Sequence, residues 1–385
     1  MTSTIRLPQW PQADEREAEL LRNVLESEQW GGFHPYIQEF EESFAAFQHC
    51  RHGIALFNGT ISLELALSVF GIGEGDEVIV PAISFISSAT AVSRVGAIPV
   101  FVDVERDSFN IDPDCIREAI SAKTKAVMAV HFGGPLCRIR EIASICQKHN
   151  LLLLEDAAHA QGSEYDGKRA GSFGIAGSFS FQNGKVLTAG EGGILLTSDA
   201  EFAERARSIA NCGRIAGRSF YEHHNLGTNF RMSAFQAAVL LAQLERLPEQ
   251  IQLRTANAQL LKALLSDVSE LTWQAQPAWL TQNSWYLMLA RVKNGGLCQH
   301  LRKALSAAGV PNAFYPHPLY GNPLYRTASC RVMPCPVAEA MIADSFWMPH
   351  RVLLAEEDTI RQIANVMRGA LTAETSKAVP VSARP

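Results

Sequence analysis

The chain has 385 residues, 47% hydrophobic and 19% charged, enough to bury one large core or two unequal ones. Its 34 basic and 39 acidic residues are spread without long blocks, so the net charge of -5 gives no footprint for nucleic acid or an anionic membrane. The expected partner is a small molecule, and the opening MTSTIRLPQWPQADEREAELL, with no basic start before an apolar core, reads as cytoplasmic rather than secreted.

In chain order, Phe40, Phe44 and Phe47 repeat at helical spacing. Ile54–Phe57 reads as a strand, followed by Asn58-Gly59-Thr60 and an amphipathic helix over Ser62–Phe70. Strand Glu77–Val80, helix Ser84–Val95 and strands Pro99–Asp103 and Ala126–His131 follow, then helix Ile139–His149 and strand Leu151–Glu155. This is repeated βαβ logic. Continuous apolar strands such as Leu151–Leu154 imply a sheet covered on both faces, with ligands at the carboxyl ends of its strands. Ser233 is placed to cap a long apolar helix, Ala234–Leu247, which Pro248 is expected to end.

Beyond Pro248 the pattern changes to helix Gln250–Leu265, a β-like Trp285–Val292, helix Leu297–Ala308, a short apolar piece at Ala313–Tyr315 and a closing helix Glu356–Leu371. The expectation is a large ligand-binding α/β domain over residues 1–248, a smaller α+β domain over 249–374 and a loose tail over 375–385. The eight cysteines form no C-x-x-C pair and match no histidine spacing, so neither a metal site nor a disulfide framework is expected. No apolar run approaches the ~20 residues of a membrane span.

The chemistry concentrates at four places. In Phe179–Gly193, FSFQNGKVLTAGEGG, Lys185 lies between a β-type run and a glycine-rich turn among apolar neighbours. A lysine buried there favours the neutral amine that attacks a carbonyl, although a surface lysine at a strand end has the same neighbours. Asn58-Gly59-Thr60 before a helix can offer amide and hydroxyl donors to a phosphate, and equally an ordinary turn and cap. Asp156, in Glu155-Asp156-Ala157-Ala158-His159, follows a buried strand, where an acid wants a cationic partner such as a protonated pyridine nitrogen; capping a loop is the plain alternative. His159 itself could be a satisfied loop histidine. Phe85, past the end of another strand, could lie on a flat ring or simply fill the core.

Other reaction classes fit less well. Gly71-x-Gly73-x-Gly75 follows a helix and precedes a strand, the reverse of a dinucleotide fingerprint. His131-Phe132-Gly133-Gly134 suggests a hydrolase oxyanion loop, but the chain has no G-x-S-x-G to supply the nucleophile. A non-catalytic cofactor-binding regulator would need a binding appendage, and neither end offers one.

Together, FSFQNGK, EDAAHA, NGTISLELAL, VIVPAISFISSA and GTNFRMSAFQAAV resemble the sugar-aminotransferase (DegT/DnrJ/StrS-type) branch of the fold-type I pyridoxal phosphate enzymes. The resemblance runs from about Trp10 to about Leu371. It implies a large domain with a mostly parallel seven-stranded sheet, a small C-terminal domain, and a homodimer whose active sites lie at the subunit interface. Lys185 matches the lysine that carries pyridoxal 5′-phosphate, Asp156 the acid facing the pyridine nitrogen, and Phe85 the stacking aromatic. Gly59, Thr60 and Ser180, with Asn58 beside them, match the phosphate seat; Asn229 matches an asparagine reaching the other subunit's cofactor.

His159 stands where many relatives carry glutamine beside the cofactor's phenolic oxygen. Tyr315 and His317 fall in a segment that approaches substrate in the family, and Arg231, with His223 and His224, could take a donor carboxylate or substrate phosphate. Relatives that deoxygenate sugars replace the lysine with histidine, so Lys185 implies amination. The implied reaction moves an amino group from glutamate or glutamine to a cyclic polyol ketone by ping-pong transamination. The phrases SFSFQNGKVLTAGEGG, HRVLLA and WPQADEREAELL are also similar to 3-amino-5-hydroxybenzoate synthases, which aromatise an amino-shikimate-type ring, and that alternative stays open.

Overall fold

The computed structural model describes residues 4–372; the tail over 375–385 lies outside them. Its main sheet has the order His52–Leu56, Gly193–Thr197, Ala176–Ser180, Leu152–Asp156, Thr124–Val130, Glu77–Pro81, Ile98–Val102, Arg331–Val332. Gly193–Thr197 runs antiparallel to both neighbours, and the other pairs are parallel. Seven of these strands make the expected sheet. The eighth, two residues from the C-terminal third, adds itself beside Ile98–Val102.

The run Glu77–Pro81 is buried throughout because helices cover both faces of the sheet. Alternate residues feed two cores. Ile79, Val127 and Leu153 join the helices Glu15–Ser27, Pro35–Phe47 and Ile139–His149 on one face. Val78, Val80, Met128 and Leu154 join Gly59–Val69, Ser87–Arg94 and Ala200–Ala210 on the other. Phe40 and Phe44 of the aromatic repeat are fully buried and pack edge-on against Phe181.

A second, antiparallel sheet of Leu271–Trp273, Leu287–Val292 and Ser345–Pro349 carries its own core, with helices Gly295–Ala307 and Glu357–Thr372 against it. All eight cysteines are free, five of them buried.

Two sequence expectations are corrected. Ser233 and Gln236 form a capping box at the start of the long helix, but Pro248 does not end it: one helix runs Ala234–Leu264 with Pro248 inside. An interior proline forfeits one backbone hydrogen bond and crowds a carbonyl, at about 3 kcal/mol. Here Ala234 to Ile251 pack into the first core and Ala258 and Leu261 into the second, so burial at both ends outweighs that cost. The helix expected over Ser84–Val95 shortens to Ser87–Arg94, leaving Phe85 on the turn before it, where its carbonyl accepts from the Ser88 amide.

Candidate active site

Two adjacent acids end strand Leu152–Asp156, and alternation sends them to opposite faces. Glu155 is fully buried and accepts from the amides of Gly171, Phe173 and Gly174 at 2.7–2.8 Å, with His131 Nε2 at 2.9 Å. It ties a loop to the sheet. Asp156 accepts from Ser88 Oγ at 2.7 Å and from the Ala158 amide at 3.3 Å, and Ser84 Oγ lies 2.7 Å from Ser88 Oγ. That arrangement orients a carboxylate without neutralising it, as a protonated pyridine nitrogen requires.

Lys185, 9% exposed, closes the turn Gln182–Lys185, its amide donating to the Gln182 carbonyl at 2.8 Å. Gln182 Oε1 accepts from the Gly184 amide at 2.8 Å, and Trp10 Nε1 donates to the Asn183 carbonyl at 3.0 Å, so the turn is held from within and from the N-terminal segment. Nζ lies 4.5 Å from the centroid of the Tyr286 ring.

His159 lies against the same ring, 4.2 Å between centroids, and its Nδ1 accepts from the Gly133 amide at 3.3 Å. Burial, then the charge on Lys185, hold its pKa well below the ordinary imidazole value. The result is a neutral imidazole whose proton sits on Nε2, a donor toward an acceptor in the site. Gly133 can serve it because it is glycine: φ is +82°, and a Cβ there would fall 2.4 Å from Leu289 Cδ1. Tyr315 is near: burial, then Tyr286 and Asp156, push its phenol upward.

At the start of helix Gly59–Val69, Asn58 Oδ1 caps the Ile61 amide at 2.9 Å, which leaves the amides of Gly59 and Thr60 at an uncompensated helix terminus. Thr60 Oγ1 lies 2.8 Å from Ser87 Oγ. Ser180, at the end of its strand, lies so near that a Cβ on Gly59 would sit 2.7 Å from its Cβ. These donors fit a phosphate. Phe85, 57% exposed despite its apolar ring, offers a face to a flat heterocycle. The residues present therefore fit pyridoxal phosphate: donors for its phosphate, an oriented acid for its nitrogen, an amine for its aldehyde.

The remaining sequence candidates are spread out. Asn229 is exposed, on the segment that bridges edge strand His52–Leu56 through Leu56 and Arg231. Arg231 donates to Asn211 Oδ1 at 2.8 Å and lies over the Phe33 ring, in a cavity of about 740 Å³ whose lining includes none of Lys185, Asp156 and His159. His223 meets the Cys212 carbonyl at 2.7 Å and His224 lies 3.4 Å from Glu222. His317 Nδ1 is 3.1 Å from the Pro318 carbonyl.

Sequence reading missed Tyr286, Ser88 and another buried histidine, His350, whose ring meets Trp10 edge-on at 4.4 Å and whose pKa burial and Arg254 push well down. Ser84 and Ser88 stand four apart at a helix start, a readable signal. Nothing marked Tyr286, which follows Trp285 just before strand Leu287–Val292. Among the described residues no cluster of three or more His, Cys, Asp or Glu could hold a metal ion, and no helix is long and apolar enough to cross a membrane.

The model of the DegT/DnrJ/EryC1/StrS aminotransferase family matches residues 11–368. The 3-amino-5-hydroxybenzoate synthase of Amycolatopsis mediterranei (strain S699) is 38% identical over 380 residues, 94% of this chain and 97% of that one. The L-glutamine:2-deoxy-scyllo-inosose aminotransferase of Streptomyces paromomycinus is 38% identical over 305 residues, 75% of this chain and 72% of its own. The crystal structure of a 3-amino-5-hydroxybenzoic acid synthase is similar with a TM-score of 0.91 at 36% identity, covering 96% of this chain and all of the other. With matches of this extent and a site that fits the cofactor, the chain belongs to the DegT/DnrJ/EryC1/StrS family and is a pyridoxal-phosphate-dependent aminotransferase.

Proposed function

We propose that this enzyme transfers an amino group from glutamate or glutamine to a ketone on a cyclic polyol, a ketosugar, nucleotide-linked ketosugar or cyclitol, in a biosynthetic pathway. The observation that carries the reading is the buried Lys185 amine beside a neutral His159, in a site whose strand-end acid is Asp156. When bound, pyridoxal phosphate supplies an aldehyde and an electron-withdrawing ring. Lys185 Nζ would hold it through its aldehyde and, once freed, would serve as the base at the donor's α-carbon. Asp156 would hold the ring nitrogen's proton, Phe85 would cover the ring, His159 Nε2 would donate to the phenolic oxygen, and Asn58, Gly59, Thr60 and Ser180 would seat the phosphate.

The reading includes a cytoplasmic homodimer in which Asn229 completes the partner's site, with Tyr315, His317 and Arg231 approaching substrate. A division into a large cofactor-binding domain over residues 1–248 and a smaller C-terminal domain over 249–374 belongs to the same proposal.

A second reading, formation of an aromatic amino acid from an amino-shikimate-type ring, is favoured by the end-to-end similarity to 3-amino-5-hydroxybenzoate synthase. One experiment separates them. Glutamate or glutamine should discharge the yellow colour expected of protein carrying pyridoxal phosphate on Lys185, and candidate ketones should then restore it: inosose-like cyclitols or nucleotide ketosugars on the first reading. If none of them restores it while an aminoketone shikimate analogue is converted to an aromatic product, the first reading fails.

A further inference from the structure

The Lys185 amine lies over the Tyr286 ring, 4.5 Å from its centroid, and nothing above gives that ring a task. Among the described residues Lys185 makes no ion pair; its Nζ meets the face of Tyr286, in a setting where water is largely excluded. An ammonium held over an aromatic face is attracted by the ring quadrupole, and more strongly when desolvated.

The ring is fixed on several sides. The Tyr286 carbonyl accepts from the His350 amide at 2.9 Å, the Leu287 amide donates to the Gly133 carbonyl at 3.0 Å, and the His159 and His350 rings lie 4.2 and 6.1 Å from it. Both imidazoles are kept neutral by burial, so neither competes with Lys185 as a cation at that face. The other titratable groups near this cluster are Tyr315, an uncharged phenol, Asp156, which is engaged by Ser88, and on the His350 side the cations Arg254 and Arg351.

We propose that Tyr286 is a positioning residue that seats the protonated Lys185, stabilising the ammonium formed when Nζ takes the α-proton from the amino donor. In that step the donor's Cα–H bond breaks, the proton and a new N–H bond go to Nζ, and the bonding electron pair stays on the carbon side, drawn toward the cofactor ring. The seat makes the lysine a better proton acceptor and holds the proton in place for return. This rests on the reading that Lys185 is the tether and base.

The test compares Tyr286→Phe, which keeps the face, with Tyr286→Leu, which removes it, by two readouts in the full-length protein. The first is the single-turnover rate with α-deuterated and ordinary glutamate and glutamine. The second is the rate at which acetic anhydride labels Lys185, by peptide mass, in protein loaded with pyridoxamine phosphate. The leucine variant should react with donor about tenfold more slowly, with a larger isotope effect, yet its Lys185 should be labelled faster because less of it is held as ammonium. The phenylalanine variant should behave as the parent in both.

A loosened site would speed labelling at every pH, whereas loss of the seat moves the labelling profile to lower pH, so labelling is followed against pH with Tm measured beside it. Parallel losses in both rates, a leucine variant indistinguishable from the parent, or a phenylalanine variant as impaired as leucine would overturn the proposal. Covalent capture of pyridoxal phosphate persisting in Lys185→Ala would instead overturn the reading beneath it.

Discussion

Ser88 Oγ donates to Asp156 Oδ2 at 2.7 Å, joining the first turn of a helix to the end of a strand 68 residues away. The bond fixes the direction of the one acid at this strand end that the loop below has not consumed. Hydrogen bonds to charged groups contribute about 1.5–3 kcal/mol. Ser88→Ala should therefore weaken pyridoxal phosphate binding by roughly tenfold, and Asp156→Ala by more. An absorbance titration measures both; unchanged affinity in Ser88→Ala would mean that Asp156 is oriented by something else.

Lys185→Ala should retain cofactor only non-covalently and lose turnover by orders of magnitude, because tether and base go together. Borohydride reduction followed by peptide mass analysis should mark position 185 in the parent. Label at any other lysine would displace it from the assignment.

Gly193 lies where its strand passes beneath the phosphate seat, and a Cβ there would come within 2.3 Å of the Asn58 carbonyl carbon and 2.6 Å of the Gly59 amide nitrogen. Backbone cannot yield as a flexible side chain can. Gly193→Ala should cost on the order of 1–3 kcal/mol of stability and loosen the cofactor, read as a lower Tm and a higher Kd for pyridoxal phosphate. A variant with parental values of both would show that helix and strand can separate freely.

His159 and His350 are both held neutral, with pKa values pushed well below 6.5. Below that value their unfolded counterparts bind protons that the folded rings refuse, so the unfolded chain gains protons and stability falls as pH drops. Their contribution is complete above pH 6.5 and declines toward the folded pKa values, at up to about 2.7 kcal/mol per pH unit for the two together. Denaturant titrations between pH 8 and pH 5 should show the decline, and His350→Gln should flatten it. A slope that is the same in that variant would assign the effect to other groups.

Most of the sheet could be read from the sequence because its strands are short apolar runs separated by amphipathic helices, the pattern that two-sided burial imposes. Helix Ile139–His149 has the bounds its periodicity implies. Pro248 misled because the reading weighed a local backbone cost and could not see two cores gripping one helix. At the candidate site, the placement of Lys185 in a turn, Asp156 at a strand end and Asn58–Thr60 at a helix start was legible because each is a junction that short-range patterns mark. Tyr286 was not: its proximity to Lys185 comes from a second sheet docking against the first, across 101 residues of chain, and no local pattern encodes that.

The unbroken helix Ala234–Leu264 sets a limit on how this enzyme can be recombined with its relatives. A chimaera joined at Pro248 would splice one rod from two parents, setting the side chains that fill the first core against a second core tuned to a different stretch. Crossovers placed in the turn after Leu265 would leave the rod whole and carry Tyr286, Tyr315 and His317 across as one block, with Arg231 staying with the first parent.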